Sequence, residues 1–325
     1  MIEPATLERL AGLLGVAAAE LQVQPLPGGL SNRGCLLSRG SDRWAVRLPL
    51  ASDAGDVVDT SQASNASVTV SAGVTPGAGV TPGAGVTPGA GVTLCIENEL
   101  RVLEVAGAAG LAPEVLAHDA GSGALVTRYL AGAEPLTAEQ ARSDANIDRI
   151  ATALRRLHGL PVPVGVGAFQ PTEPASVYTR IVRSAPDSAI AQADELRRWS
   201  SEFRQLAETH EAEFPPSVLC HNDLVAANIL DDGRLWLVDF EYAVHADPIL
   251  DLAGLAGLNG FGPTHCNRLL DAYYGPGCAP FDLAQLNQVI RLVRLMAFFW
   301  ALAHGGRRPT DDRTHFAASM ASVLR

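Results

Sequence analysis

The chain has 325 residues, 47% of them apolar and 18% charged, and a formal net charge of −11. That length allows two lobes, because single cores stop growing at roughly 250–300 residues, and the composition suits a globular enzyme rather than a disordered or fibrous chain. The acidic balance argues against a nucleic-acid partner, which needs a basic face to displace counterions.

Residues 5–21 repeat apolar positions at helical spacing and predict an opening helix. Glu3 and Glu8 lie in this segment and no basic stretch precedes it, so no signal peptide is expected. The run QPLPGGLSN, 24–32, reads as a turn cluster. Two strands come next, GCLLS and RWAVRLPL, joined by RGSD.

Residues 51–93 break the pattern. AGVTPG recurs from Ala72, Ala78 and Ala84 and in part from Ala90. Proline in every unit cannot sustain a helix or a paired central strand, so a flexible insertion without catalytic function is expected. Lengthening a linker from roughly 12 to roughly 43 residues costs on the order of 1 kcal/mol in closure entropy, so residues on its two sides can still meet.

IENELRVLEVAGAAGLAPEV, 96–115, predicts a helix closed by Gly110, and ALVTRYLAG, 124–132, a strand. TAEQARSDANIDRIATALRRLHGL, 137–160, is the clearest amphipathic segment of a mainly helical remainder, which a strand pair around 226–241 interrupts. The apolar run 295–303 is half a membrane span. Five scattered cysteines form no CxxC pair. A cytoplasmic location without membrane insertion is expected.

The chemistry concentrates in LCHNDLVAANIL, 219–230, and LWLVDFEYA, 235–243. His221, Asp223 and Asn228 inside one short apolar stretch are costly unless they partner one another or hold a ligand. Asp239 comes after a second apolar strand, eleven residues beyond Asn228. Two strands ending in a carboxylate, a carboxamide and a second carboxylate would bring hard oxygen ligands together, the preference of Mg²⁺ bridging substrate phosphates.

HNDLVAANIL with LVDFEYA resembles the catalytic and metal-binding loops of the aminoglycoside phosphotransferase and choline kinase superfamily, which is related to protein kinases. The resemblance implies an α+β, protein-kinase-like two-lobed fold. Residues 1–131 would form a β-rich, nucleotide-covering N-lobe carrying the insertion 51–93, and residues 132–325 a mainly helical C-lobe. It implies ATP-dependent phosphorylation of a small-molecule hydroxyl, with Asp223 as catalytic base, Asn228 and Asp239 as Mg²⁺ ligands and His221 shaping the loop.

By the same resemblance Gly28, Gly29, Ser31 and Asn32 belong to the turn over the nucleotide phosphates. Arg47 is the phosphate-contacting cation, and all 24 basic residues of this chain are arginine. Glu99 is the helix-borne partner of Arg47, with Glu97 a close competitor. The backbone of Arg128, Tyr129 and Leu130 is the adenine-binding hinge, and Asp251 braces the catalytic loop.

The motif flavour points to choline or a related amino alcohol as acceptor, with Glu241, Tyr242 and Trp300 as candidate walls of a cation site. Trp300 stands beside Phe298 and Phe299, a grouping that on a late helix is more often core than ligand box. A thiamine kinase or an aminoglycoside-type phosphotransferase shares the machinery. A nucleotide-binding pseudokinase is the non-enzymatic alternative, against which the intact Asp223, Asn228 and Asp239 argue.

Overall fold

The computed structural model describes residues 2–26, 32–49, 96–183, 191–304 and 312–325; the insertion 51–93 and the turn residues Gly28, Gly29 and Ser31 lie outside them. Helix α1 (Pro4–Leu14) carries proline in its first turn and stops at Gly15, whose φ of 69° is left-handed. It is therefore shorter than the periodicity of 5–21 suggests.

Strand β1 (Gln22–Leu26) pairs antiparallel with β2 (Asn32–Arg39), Gln22 opposite Ser38 and Leu26 opposite Gly34. The start of the expected turn cluster is thus a strand. It sits at a sheet edge, where Pro25 is tolerated because one side of an edge strand needs no ladder partner. β2 turns into β3 (Asp42–Pro49) with Arg39 opposite Asp42, and Gly40 takes the positive φ (57°) that tight hairpins favour. β4 (Val115–Asp119) and β5 (Ala124–Arg128) complete an antiparallel sheet in the order β1-β2-β3-β5-β4. α1 packs against the sheet through a small core of Leu10, Cys35, Leu37, Val46, Ala124 and Val126.

Helix α2 (Ile96–Ala108) precedes β4 in the chain but does not share that core. Its Val102, Leu103 and Ala106 are buried with Ile147, Ile150 and Leu154 and with Leu237, in the larger core of the second lobe. Leu237 N donates to Leu111 O at 2.7 Å and Arg156 Nη2 to Ala109 O at 2.6 Å. The end of α2 is therefore anchored on the helical side of the molecule.

Past β5 the chain enters that lobe through β6 (Glu134–Pro135), α3 (Ala138–Ala141) and α4 (Asp144–His158). The expected segment 137–160 is divided because Ser143 caps α4, accepting from Asn146 N. α5 (Thr172–Arg183) and α6 (Ala193–Glu213) come next. Then come the short strands β7 (Val218–Cys220), β8 (Ile229–Asp231), β9 (Leu235–Leu237) and β10 (Val244–Ala246), which pair as β10-β7 and β6-β8-β9. α7 (Ile249–Leu258), α8 (Pro263–Tyr274), α9 (Leu283–Ala303) and α10 (Asp312–Leu324) close the fold. α9 is long and apolar enough to span a membrane by length and composition, but 56% of its most apolar window is buried inside the fold. Its Phe298 and Phe299 are fully buried, packed on Trp199 and Phe203 of α6.

Candidate active site

β7 delivers the chain to His221, and α7 fixes the backbone beyond that strand. Asp251 is fully buried one turn into α7. Its Oδ2 accepts from His221 N at 2.8 Å and its Oδ1 from Asn222 N at 2.7 Å. His158 Nε2 lies 3.0 Å from Oδ2 and Nδ1 lies 2.6 Å from Tyr273 Oη, so both ring nitrogens are engaged. Burial alone would raise the Asp251 pKa; the hydrogen bond and charge of His158, with His221 and Asn222 beside it, hold it below the ordinary carboxylate value.

Asn222 adopts φ 61°, a left-handed conformation that asparagine accepts more readily than most residues, and its Nδ2 donates to Tyr242 O at 3.2 Å. His221 is fully buried. Its Nδ1 accepts from Asp223 N at 3.3 Å, so the proton belongs on Nε2, which donates to Val238 O at 2.9 Å. Burial lowers the His221 pKa and keeps the ring neutral. This geometry makes His221 a spacer between the two loops.

Asn228 Nδ2 donates to both the carbonyl and Oδ2 of Asp223, each at 2.9 Å, and Asn228 O accepts from Val238 N at 3.0 Å. Asp239, the next residue, has a left-handed conformation, φ 67°. The structure thus gathers Asp223, Asn228 and Asp239 at the mouths of β8 and β9. Burial, then the charges of Asp239 and Glu241, raises the Asp223 pKa to about 7, against the hydrogen bond from Asn228.

From the sheet, β3 supplies Arg47. It forms a two-pronged pair with Glu99, Nη1 to Oε1 at 2.6 Å and Nη2 to Oε2, and Nη1 also reaches Asp239 Oδ1 at 2.6 Å. Glu97 is exposed and Glu99 buried, so α2 presents Glu99 to Arg47. Glu241 Oε2 accepts from Asn32 Nδ2 at 2.8 Å and stands 3.8 Å from Arg47 Nη1. Burial works to lower the Arg47 pKa, but Glu99, Asp239 and Glu241 outweigh it and the net shift is upward. Arg47 Nε and Glu241 Oε1 are buried without a partner among the described residues.

These orphans bear on whether a divalent cation and a phosphate fit. Glu99, Asp239 and Glu241 face one guanidinium, and Glu241, like nearby Asp223, is pushed up to about 7 by burial and by Asp239. A cation beside Asp239 would relieve that excess of negative charge. Asn228 Oδ1 is suited to contribute, since only its Nδ2 is spent on Asp223. Arg47 Nε is a ready donor for a phosphate oxygen. The donor set fits Mg²⁺ and a nucleotide.

A raised carboxyl pKa also makes a stability statement. Between the unfolded value near 4 and the folded value near 7, the folded state binds more protons, so Asp223 contributes less stability as pH rises through that window. We expect Asp223→Asn to melt roughly 2–6 °C above the parent at pH 8, without nucleotide or cation, and the difference to shrink at pH 5. Equal differences at both pH values would contradict the assignment.

The remaining expected residues divide. Gly28, Gly29 and Ser31 lie outside the described residues, and Asn32 bonds Glu241. Arg128 ends β5 with its N–H on Glu114 O at 2.9 Å and its guanidinium on the Glu114 carboxylate; Tyr129 and Leu130 leave the sheet and lead into β6. Glu241, expected as an acceptor wall, meets Asn32 and stands near Arg47. Tyr242 carries the carbonyl that Asn222 holds. Trp300 is stacked on His304, ring centroids 5.3 Å apart, with the Arg313 guanidinium 6.0 Å from its ring. It packs, partly buried, against the α5–α6–α9–α10 core.

Two other features are not this site. His158, Cys220 and Asp251 each place a ligand atom within 4.8 Å of the others, but the Asp251 oxygens and both His158 nitrogens are already hydrogen bonded. An open depression of about 650 Å³ lined by Glu134, Gln140, Arg149 and Asp231 includes none of the motif residues, and Arg149 is committed to Asp231 at 2.6 and 2.7 Å.

Residues 22–287 match the family model described as the phosphotransferase enzyme family. Protein LicA of Haemophilus influenzae is 32% identical over 168 residues, 51% of this chain and 61% of LicA. The chain therefore spans about three-fifths of that relative's length. Among solved structures, a choline/ethanolamine kinase family protein from Mesorhizobium loti superposes with a TM-score of 0.69 at 24% identity, covering 98% of this chain and 92% of that one. The choline kinase LicA from Streptococcus pneumoniae superposes with a TM-score of 0.69 at 20% identity, covering 98% and 96%. The fold, the gathered motif residues and a family match across most of the sequence agree: the chain belongs to the phosphotransferase enzyme family.

Proposed function

We propose that the chain transfers the γ-phosphoryl group of ATP to the hydroxyl of choline or a related amino alcohol. The observation that carries the reading is Asp223, bonded to Asn228 and facing the cluster of Arg47, Glu99, Asp239 and Glu241. In this reading the nucleotide lies between sheet and helical lobe, its adenine against the backbone of 128–130. The Arg47 guanidinium neutralises phosphate charge and is itself oriented by Glu99. Mg²⁺ held by Asn228 and Asp239 would supply further charge neutralisation on the phosphate oxygens. Asp223 accepts or orients the proton of the attacking hydroxyl, its carboxylate kept in place by Asn228.

The amino-alcohol acceptor is supported by the likeness to choline and choline/ethanolamine kinases. A cytoplasmic location is supported by free thiols at Cys35, Cys220, Cys266 and Cys278. The test is ATP consumption with choline, ethanolamine, thiamine and aminoglycosides as separate acceptors. Turnover with choline or ethanolamine exceeding the others by at least about tenfold in kcat/KM, roughly 1.4 kcal/mol, is the expected result. Turnover with aminoglycosides or thiamine alone would overturn the acceptor class.

A further inference from the structure

Of the four residues between Asp223 and Asn228, Leu224 is fully inaccessible and Ala226 nearly so, while Val225 is half-buried and Ala227 exposed. The backbone groups Leu224 O and Ala226 N lie outside the strand ladders, and such groups cost about 1–3 kcal/mol each when buried unpaired. One side chain meets both. Asn259, 3% exposed just past the end of α7, accepts from Ala226 N through Oδ1 at 2.7 Å and donates through Nδ2 to Leu224 O at 2.8 Å. The same Nδ2 donates to Leu255 O at 2.8 Å, in the last turn of α7. Arg142 Nη1 donates to the Asn259 carbonyl at 2.7 Å and ties this corner to the segment between α3 and α4.

α7 therefore grips the loop twice. Asp251 holds the amides of residues 221 and 222, and Asn259, about two helical turns further on, holds residues 224 and 226. Asp223 lies between the two grips, and the short turn that begins at Ala226 sets the position of Asn228. Asp223 and Asn228 also contact each other, so a shift of residues 224–226 displaces Asp223 relative to Asn228. Misplacing a catalytic group by about 1 Å can cost on the order of 10²-fold in rate.

We propose that Asn259 is a positioning residue for phosphoryl transfer, fixing Asp223 relative to Asn228 through the backbone of 224–226. The inference rests on the role proposed above for Asp223. Its carboxamide is matched to the task because one acceptor and one two-proton donor are needed at the same point, which neither serine nor aspartate provides.

The test uses the full chain with Asn259→Ala and the isosteric Asn259→Asp, each alone and combined with Asp223→Asn. Circular dichroism and melting report folding, and steady-state kinetics separate kcat from the nucleotide KM. The expected result is a folded protein in which kcat falls about 30- to 100-fold while the nucleotide KM stays within about threefold. Added to Asp223→Asn, the Asn259 substitution should cost less than about threefold more, because it acts through the group already removed. Parental kcat, a KM effect as large as the kcat effect, a fully additive double variant, or failure of both variants to fold would overturn the inference. If Asp223→Asn is itself as active as the parent, the proposed role of Asp223 falls and takes this inference with it. If Asp223→Asn is inactive and Asn259→Ala fully active, only the inference falls.

Discussion

Asp223→Asn is expected to lower kcat by about 10³-fold, in the range that removal of a general base costs, while the affinity for nucleotide changes by less than about threefold. The substitution is nearly isosteric and can keep one acceptor oxygen toward Asn228 Nδ2, which now bonds Oδ2 at 2.9 Å. It removes the capacity to take a proton. Asp223 contacts neither Arg47 nor Glu99 through any hydrogen bond, so the phosphate side of the cleft should be undisturbed. Single-turnover kinetics with the preferred acceptor, alongside calorimetric titration of nucleotide, read the two quantities separately. Turnover within tenfold of the parent would remove Asp223 from the chemistry.

Asp251→Ala should destabilise the fold by about 3–5 kcal/mol and abolish turnover. The size comes from the groups stranded: the amides of His221 and Asn222 and the Nε2 of His158 all lose their acceptor in a buried setting, each at about 1–3 kcal/mol, less what relaxation recovers. Against a total stability of about 5–15 kcal/mol this is a large fraction. Asp251→Asn keeps the volume but points a donor at donors, so it should recover only part of the loss. The depressed pKa sets the pH dependence: the contribution is complete above the unfolded value near 4 and is lost as acid protonates the folded carboxylate. Urea unfolding at pH 7 measures the loss, and a change below about 1 kcal/mol would show that the loop does not depend on this carboxylate.

Much of the site is legible because its chemistry is local. Asp223, Asn228 and Asp239 sit at short spacings in two neighbouring segments, and hairpin pairing of β8 with β9 is enough to bring them together. Arg47 and Glu99 are harder, being separated by the insertion, and only the resemblance links them. β1 escapes because edge strands can carry proline, and β4 because it is a short strand of five residues, VLAHD, with a polar end. That Glu241, in the turn after Asp239, faces Asn32 and Arg47 is a matter of side-chain direction, which residue type alone does not give. Trp300 meets Arg313 only through the packing of α9 beside α10. Asn259 offers only the outline of a helix end, an asparagine before a glycine; that its carboxamide reaches back to residues 224 and 226 cannot be seen in one dimension.

Helix α2 has its apolar face in the large lobe, while Arg47 belongs to the sheet. The guanidinium is thus a latch across the cleft rather than an ornament of either half, tied to Glu99 on one side and to Asp239 on the same far bank. One side chain of β3 therefore couples the position of the sheet to that of α2 and of the Asp239 turn together.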